Sequence, residues 1–409
     1  MAGEAAVSGW VAPGWEAVRE AFARGQSDDP GGAQLAVHHR GRPVVDLASA
    51  GEGATAAPGA FGAASVGVLM SVTKGLVAVC AHLLSERGVL DLDAPVARYW
   101  PEFAAAGKSA TTVSDLLTHR AGLPAFGLDV SGPGPDGLRD WDLRVAELAA
   151  ARPLWEPGTA FLYHSLTFGH LVGEVIRRAS GMSVGAFFAT EVAGPLGLDL
   201  WIGLPRDEEH RFVPQFSVRP APSPEQIAGF LTGLGLAPDD PLHTGLRAAA
   251  AELADATDGL TTRQGRAAEL PGAGGIGNAR SLSRLYAALI GPVDGVRLLS
   301  PLTVERARAP RNDHLAPPPP LDSGDASDRS RFGLGFELPR AGLPLLGEGS
   351  FGHAGAGGRL GAAHPESGLA VGYVCTAMAW EPSAGPDPRW TAWTRTVVAA
   401  ADAPGRGRD

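Results

Sequence analysis

Ser71 and Lys74 stand three residues apart at the head of an apolar stretch, "SVTKGLVAVCAHLLSERG" (71–88). Residues i and i+3 of a helix share a face, so hydroxyl and amine can touch. A serine hydroxyl is a poor nucleophile until a base takes its proton. Lysine is such a base only when neutral. Burial disfavours its ammonium form, and so does the positive end of a helix dipole. Arginine cannot take the part, because it does not deprotonate in proteins. The chain holds 34 Lys plus Arg, yet only Lys74 and Lys108 are lysines. Where charge alone is wanted arginine serves; at 74 an amine is kept. The pair therefore reads as nucleophile and base, and the plainer alternative is a surface lysine behind a serine helix cap.

Two other motifs compete for attention. "GMSVG" (181–185) matches the Gly-x-Ser-x-Gly elbow, which needs a strand before it and a helix after it. Here the helical pattern "SLTFGHLVGEVIRRA" precedes it, so Gly181 reads as a helix stop and Ser183 as the cap of the next helix. "GAGGIG" (272–277) matches Gly-x-Gly-x-x-Gly but follows no strand and lies in no βαβ unit, so it reads as a loop feeding a helix at 279–290. The 11 histidines include no His-Glu-x-x-His or comparable spacing, so neither a metal nor a cofactor is expected. Of the four tyrosines, Tyr286 falls in a helix, Tyr373 in a strand and Tyr99 before the "WPEF" turn. Tyr163 enters a helix from a loop behind "EPGT", and on pattern alone a core role remains open for it.

The elements that must position Ser71 and Lys74 follow from periodicity. In 72–87 Leu76, Val77, Val79, Cys80, Leu83 and Leu84 cover most of the circumference, which predicts a buried helix stopped by Gly88. "QLAVHHRGRPVVDLAS" (34–49) predicts a hairpin around an Arg-Gly turn. Helical segments are expected at 113–119, 142–151, 164–179, 184–192, 244–256, 279–290 and 302–309. A polar, proline-rich surface loop should occupy 311–330. Strand-like runs return at 332–338, 357–365 and 369–377, and a helix at 388–401 closes the chain. Strands at both ends and helices between them predict a discontinuous α/β domain, 1–70 with 325–409, and a mainly helical domain, 71–324.

Composition limits the partners. The 409 residues are 44% hydrophobic, enough for one large or two interlocked cores. Net charge is -10, with arginines scattered among acids, which excludes nucleic acid and anionic membrane as expected partners. The start, "MAGEAAVSGWVAPGW", shows no signal-peptide pattern, and no run is long enough to span a membrane. Cys80 and Cys375 sit in apolar runs and read as buried free thiols of a reduced compartment. A cytoplasmic protein is expected; oligomeric state is not readable.

The stretch "MSVTKGLVAVCAHLLSERGVLDLDAPVARYWPEF" (70–103) resembles the serine β-lactamase and penicillin-binding-protein superfamily, most of all the class C-like branch with the family VIII carboxylesterases. Further matches follow in order: "VSDLLTHRAGLP" (113–124), "WEPGTAFLYHSLTFGHLVGEVIRRASG" (155–181), "GAGGIGNARSLSRLYAAL" (272–289), "RFGLGFEL" (331–338) and "FGHAGAGGRLGAAHPESGLAVGYV" (351–374). The resemblance implies an α+β fold of the β-lactamase/transpeptidase-like kind: an antiparallel sheet flanked by helices, an inserted helical domain and a site in the cleft between. It makes Ser71 the acylated nucleophile and Lys74 its base partner. Tyr163-His164-Ser165 stands for Tyr-x-Asn, with Tyr163 as phenolate or relay. His353-Ala354-Gly355 stands for Lys-Thr-Gly. The oxyanion hole falls to the backbone N–H groups of Ser71 and Ala356, and substrate binding to Ser165, His353 and Gly355. His119 and Arg120, in the same matching segment, read as structural.

Two departures matter. Ser165 replaces an asparagine that binds the amide of β-lactams, and His353 replaces a lysine that holds a substrate carboxylate. Both favour a neutral ester. The expectation is a serine hydrolase of small carboxylic esters working through an acyl-enzyme. The alternatives are an acyltransferase using the same intermediate, a β-lactamase or D-amino-acid peptidase, and a catalytically silent binding protein on this fold. Acyl length, alcohol and physiological substrate depend on cleft loops at 125–141, 204–245 and 311–330.

Overall fold

The Arg-Gly turn expected between two strands is present in the computed structural model, which describes residues 7–51, 61–129, 132–322, 324–325, 329–379 and 385–403. Arg40 and Gly41 both have positive φ, 50° and 76°, the twist that suits a two-residue hairpin. They join β2 (Ala33–His39) to β3 (Arg42–Ser49). With β1 (Val7–Val11), β8 (Phe351–Gly355), β9 (Arg359–His364) and β10 (Leu369–Cys375), these form one antiparallel sheet of six strands. Its order is β1-β3-β2-β10-β9-β8, so the two ends of the chain meet at the β2–β10 pair, and β8 is an edge.

Side chains alternate across this sheet. Leu35, Val37, Leu369, Val371 and Tyr373 face helices Glu16–Gln26 and Pro388–Asp402, where Phe22, Trp390 and Trp393 complete one core. The other face carries small residues under helix Ala279–Ile290. A Cβ on Gly372 would run into Ala279 O, and one on Gly361 would run into the Tyr286 ring. That close approach lets the second core extend through helix Val72–Glu86 into the helical region. Thirteen residues of Val72–Glu86 are buried, as its all-round apolar pattern requires.

A second, three-stranded sheet is β4 (Gly67–Val68), β7 (Gly275–Gly277) and β5 (Leu200–Ile202), in the order β4-β7-β5. A two-stranded pair joins β6 (Phe216–Ser217) to β11 (Ala377–Met378). The α+β, β-lactamase/transpeptidase-like architecture is therefore the one present.

Three local expectations need correcting. The run 332–338 is not a regular strand: Gly335, with φ 85°, folds it so that Phe332 bridges Glu337 and Glu337 bridges Gly352 of β8. The segment 184–192 is a short helix, Val184–Phe188, followed by a π-turn over Ala189–Ala193. The stretch 204–245 is not all loop, since helix Pro224–Gly233 lies in it, opened by a capping box between Ser223 and Gln226. Among the described residues no helix is long and apolar enough to cross a membrane.

Candidate active site

The backbone that leads into Ser71 is held on three sides. Leu69 N–H donates to Gly275 O at 2.8 Å, tying it to β7. Thr73 Oγ1 donates to Met70 O at 2.6 Å and accepts from Gly275 N–H at 2.8 Å. Arg359, fully buried, donates to Val68 O at 3.1 Å, to Ala356 O at 2.8 Å and to Gln215 Oε1 at 2.8 Å. Met70 is forced to φ 50°, a left-handed conformation costly for a residue with a side chain. Ser71 then caps helix Val72–Glu86, half-buried while the helix behind it is closed off.

One turn on, Lys74 is fully buried. Its Nζ lies 3.0 Å from Ser71 Oγ and donates to Gly272 O at 2.7 Å. Burial lowers its pKa to about 7, against a smaller upward pull from the Glu337 carboxylate. An amine that gives one N–H to Gly272 O can turn its lone pair to the serine. The glycine run 272–277 is therefore more than the loop expected from sequence. Gly272 O orients the amine, Gly275 to Gly277 form β7, and Asn278 caps helix Ala279–Ile290 by accepting from Ser281 N–H at 2.8 Å. Glycine is required there: a Cβ on Gly272 would meet Leu166 O and one on Gly275 would meet Thr73 Oγ1.

Tyr163 reaches the same point from the loop before helix Thr167–Ser180. Its phenol is hydrogen-bonded to the Ser71 side chain, and Lys74 Nζ sits 4.8 Å from its ring centroid. Burial, and then the Glu337 charge, push its pKa well above the usual phenol range, so it is a neutral phenol rather than a phenolate. His119 braces it, the two ring centroids being 4.7 Å apart. His119 is itself fixed, because Nδ1 accepts from His164 N–H at 3.1 Å. His164 Nε2 accepts from Leu123 N–H at 3.0 Å, and its Nδ1 lies 2.6 Å from Leu162 O. Arg120 pairs with Asp115 at 2.8 Å. Ser165 lies half-buried in the turn that enters the helix.

The third segment is the end of β8. Gly355 passes so close to Leu69 and Met70 that a Cβ would run into Leu69 O. Ala356 follows it, packed against Val68 and Met70. His353 is buried, its ring centroid 6.2 Å from that of Tyr163. Its Nδ1 lies 2.7 Å from Ala354 O and 3.3 Å from Glu337 Oε2. Burial lowers its pKa, partly countered by Glu337, so the ring is neutral near pH 7. Ser71, Lys74, Tyr163, His353, Gly355 and Ala356 thus converge from three separate parts of the chain.

Reasoning from sequence missed Glu337, Arg359 and the carbonyl of Gly272. Glu337 stands in "FGLGFEL", where its one charge among apolar residues was the available signal. Ser183 is confirmed as a helix cap: its Oγ accepts from Ala186 N–H at 3.3 Å and donates to Glu269 at 2.6 Å.

The fold and its cleft define a serine hydrolase of the β-lactamase/transpeptidase-like class. The chain belongs to the beta-lactamase family, whose profile matches residues 18–393. It is 33% identical over 359 residues to the esterase/beta-lactamase LipL of Mycobacterium tuberculosis, covering 84% of this chain and 76% of that protein. Among solved structures, a family VIII carboxylesterase superposes with a TM-score of 0.79 at 33% identity, over 97% of this chain and all 100% of that one. A penicillin-binding-protein homologue from Caulobacter crescentus gives a TM-score of 0.77 at 30% identity, with coverage of 97% and 100%.

Proposed function

We propose that this protein hydrolyses carboxylic esters through a covalent acyl-enzyme on Ser71. The observation that carries the reading is the buried Lys74 amine, its pKa near 7, held 3.0 Å from Ser71 Oγ. Ser71 Oγ attacks the ester carbonyl as its proton passes to Lys74. The oxyanion is held by the N–H groups of Ser71 and Ala356, donors of a kind that contribute about 2.7–4 kcal/mol each to lowering the barrier. Tyr163, as a neutral phenol, gives its proton to the leaving alcohol and regains one from Lys74. Water then attacks the acyl carbon along the reverse path, freeing the acid and restoring Ser71.

The ester preference is supported by His353, which presents no fixed cation to a substrate carboxylate, and by the esterases among the relatives. The buried free thiols Cys80 and Cys375 support a reduced, cytoplasmic setting.

A fluorophosphonate probe tests the reading: one label is expected, on the Ser71 peptide, absent in Ser71→Ala and retained in Ser183→Ala. Short-chain p-nitrophenyl esters should be turned over far faster than nitrocefin. A label on Ser183, or comparable kcat/KM for the two substrates, overturns it.

A further inference from the structure

Glu337 is the only acidic side chain within hydrogen-bonding or ion-pair contact of the His353-Ala354-Gly355 segment among the described residues. Its lone charge in "FGLGFEL" is visible in the sequence, but its partners are not. Its placement follows from the edge of the sheet. β8 pairs only with β9, so alternate N–H groups along it point away from the sheet. Gly352 N–H points away and is taken by Glu337 O at 3.1 Å, while Glu337 N–H donates to Gly352 O at 2.8 Å. The next outward N–H, that of Ala354, is taken by the Glu337 carboxylate at 2.7 Å. The alternation then reaches Ala356. One residue therefore occupies two consecutive outward amides of this edge, and Ala356 is the next in line for a ligand.

Burial keeps His353 neutral, and the same carboxylate settles its tautomer. Nδ1 has two neighbours, Ala354 O at 2.7 Å and Glu337 Oε2 at 3.3 Å, and both are acceptors. Nδ1 must carry the hydrogen, which leaves a lone pair on Nε2. Nε2 is buried and has no hydrogen-bond partner among the described residues. A third-motif side chain that would be a cation in the lysine version is here a neutral ring backed by a negative charge.

We propose that Glu337 is a positioning and specificity residue of this site: it fixes the β8 edge so that Ala356 N–H is left for the substrate, keeps the His353 ring hydrogen on Nδ1, and directs the site to esters that carry no carboxylate beside the scissile bond. The proposal rests on the acyl-enzyme reading of the same site. Its substrates are neutral esters or esters bearing a hydroxyl or amine there. A carboxylate would meet Glu337 with no fixed cation to offset it. The charge also bears on Lys74, whose titration faces Glu337, Tyr163 and His164, with His119 and His353 close by and the Tyr286 hydroxyl beside Gly75. Of these, Glu337 alone holds the ammonium form up.

The test compares wild type, Glu337→Gln and Glu337→Asp on p-nitrophenyl acetate and mono-p-nitrophenyl succinate from pH 5.5 to 9. Wild type should favour the acetate at least tenfold in kcat/KM (order of magnitude for one unpaired like charge). Glu337→Gln should narrow that preference severalfold, mainly through KM of the succinate, and move the acid limb down by roughly one pH unit. Glu337→Asp, which keeps the charge, should restore both towards wild type. A purely structural part would lower both substrates equally and leave the limb in place, and that result overturns the proposal. Should Glu337→Gln fail to fold, the 15N histidine spectrum of wild type decides, with His353 assigned by difference against His353→Gln. An Nδ1–H tautomer at pH 7 upholds the proposal and an Nε2–H tautomer overturns it. Wild type that turns over neither ester and takes no fluorophosphonate on Ser71 defeats the acyl-enzyme reading instead. An active wild type matched by Glu337→Gln in preference and limb defeats only the part given to Glu337.

Discussion

Replacing Lys74 with arginine separates a proton acceptor from a charge. An ordinary lysine has a pKa of 10.5, and burial brings Lys74 to about 7. At pH 7 about half of it is then free amine, against about one part in 3,000 for an unperturbed lysine. Burial has therefore raised the concentration of the base about a thousandfold. Arginine in the same place offers none, because its guanidinium keeps its proton. It is also larger, and Nζ already sits 3.0 Å from Ser71 Oγ and 2.7 Å from Gly272 O. Lys74→Arg should lose at least the ~10²–10⁴-fold typical of removing a general base, and match Lys74→Ala. The wild-type pH dependence has a defined sign. Protonation removes the base, so kcat/KM should fall as pH drops through about 7 and level off above it. The assay is kcat/KM for a p-nitrophenyl ester against pH for all three proteins, with circular dichroism as the folding check. A folded Lys74→Arg protein retaining a tenth or more of the activity, or a flat wild-type profile between pH 5.5 and 8.5, would refute the assignment.

Two further outcomes test the frame around the site. Gly355→Ala places a Cβ against Leu69 O, so the end of β8 must retreat from Ser71 and carry Ala356 N–H with it. The expected loss is about 10²-fold or more in kcat, the scale of one oxyanion donor, and a near-normal kcat would show that Ala356 N–H is not that donor. Lys108→Met leaves the carbonyls of Ala105, Ala149 and Ala151 without their shared donor. Denaturant unfolding should show a loss of about 3 kcal/mol or more, since each of three unsatisfied buried acceptors costs about 1–3 kcal/mol, and a change below about 1 kcal/mol would show that Lys108 does not tie these segments together.

What the sequence made legible was chemistry carried by residue type at short range. Ser71 and Lys74 are three residues apart, and the helix that holds them advertises its burial by an apolar pattern on every side. The Arg-Gly hairpin and the cap at Ser183 are local as well. Tyr163 was different: its place in a loop-to-helix entry left a core role open, and only the resemblance assigned it a part in the chemistry. Illegible were the parts supplied by backbone groups and by distant chain. Gly272 O lies 198 residues from the amine it orients, and a carbonyl has no residue type to betray it. The glycine run drew attention for a cofactor motif it does not form, when its actual reason is that β7 and the 272 carbonyl pass within contact of Thr73 and Leu166. Glu337 was hidden because "FGLGFEL" has the alternation of a strand; the fold at Gly335 that turns the acid onto β8 depends on the tertiary frame.

The two lysines make one physical case. Both are fully buried, in a chain whose surface cations are all arginine. Lys108 packs beside a backbone reversal, Ala106 having φ 56°, and its ammonium joins that reversal to the end of helix Trp141–Ala150 through the carbonyls of Ala105, Ala149 and Ala151. A compact head with three tetrahedral donors can serve three carbonyls converging from different directions, and it lies at the negative end of that helix. A planar guanidinium fork spreads its donors in one plane and cannot. Burial lowers Lys108 to about 8, yet with acceptors on every donor it has no lone pair to offer. Lys74 differs in one respect that decides its chemistry: of its two close partners one is a carbonyl and the other is the Ser71 hydroxyl, which can give up a proton. Depressed basicity is common to both sites. What separates a structural lysine from a base is whether a proton donor is among its neighbours, and in this fold only the lysine one helical turn from Ser71 has one.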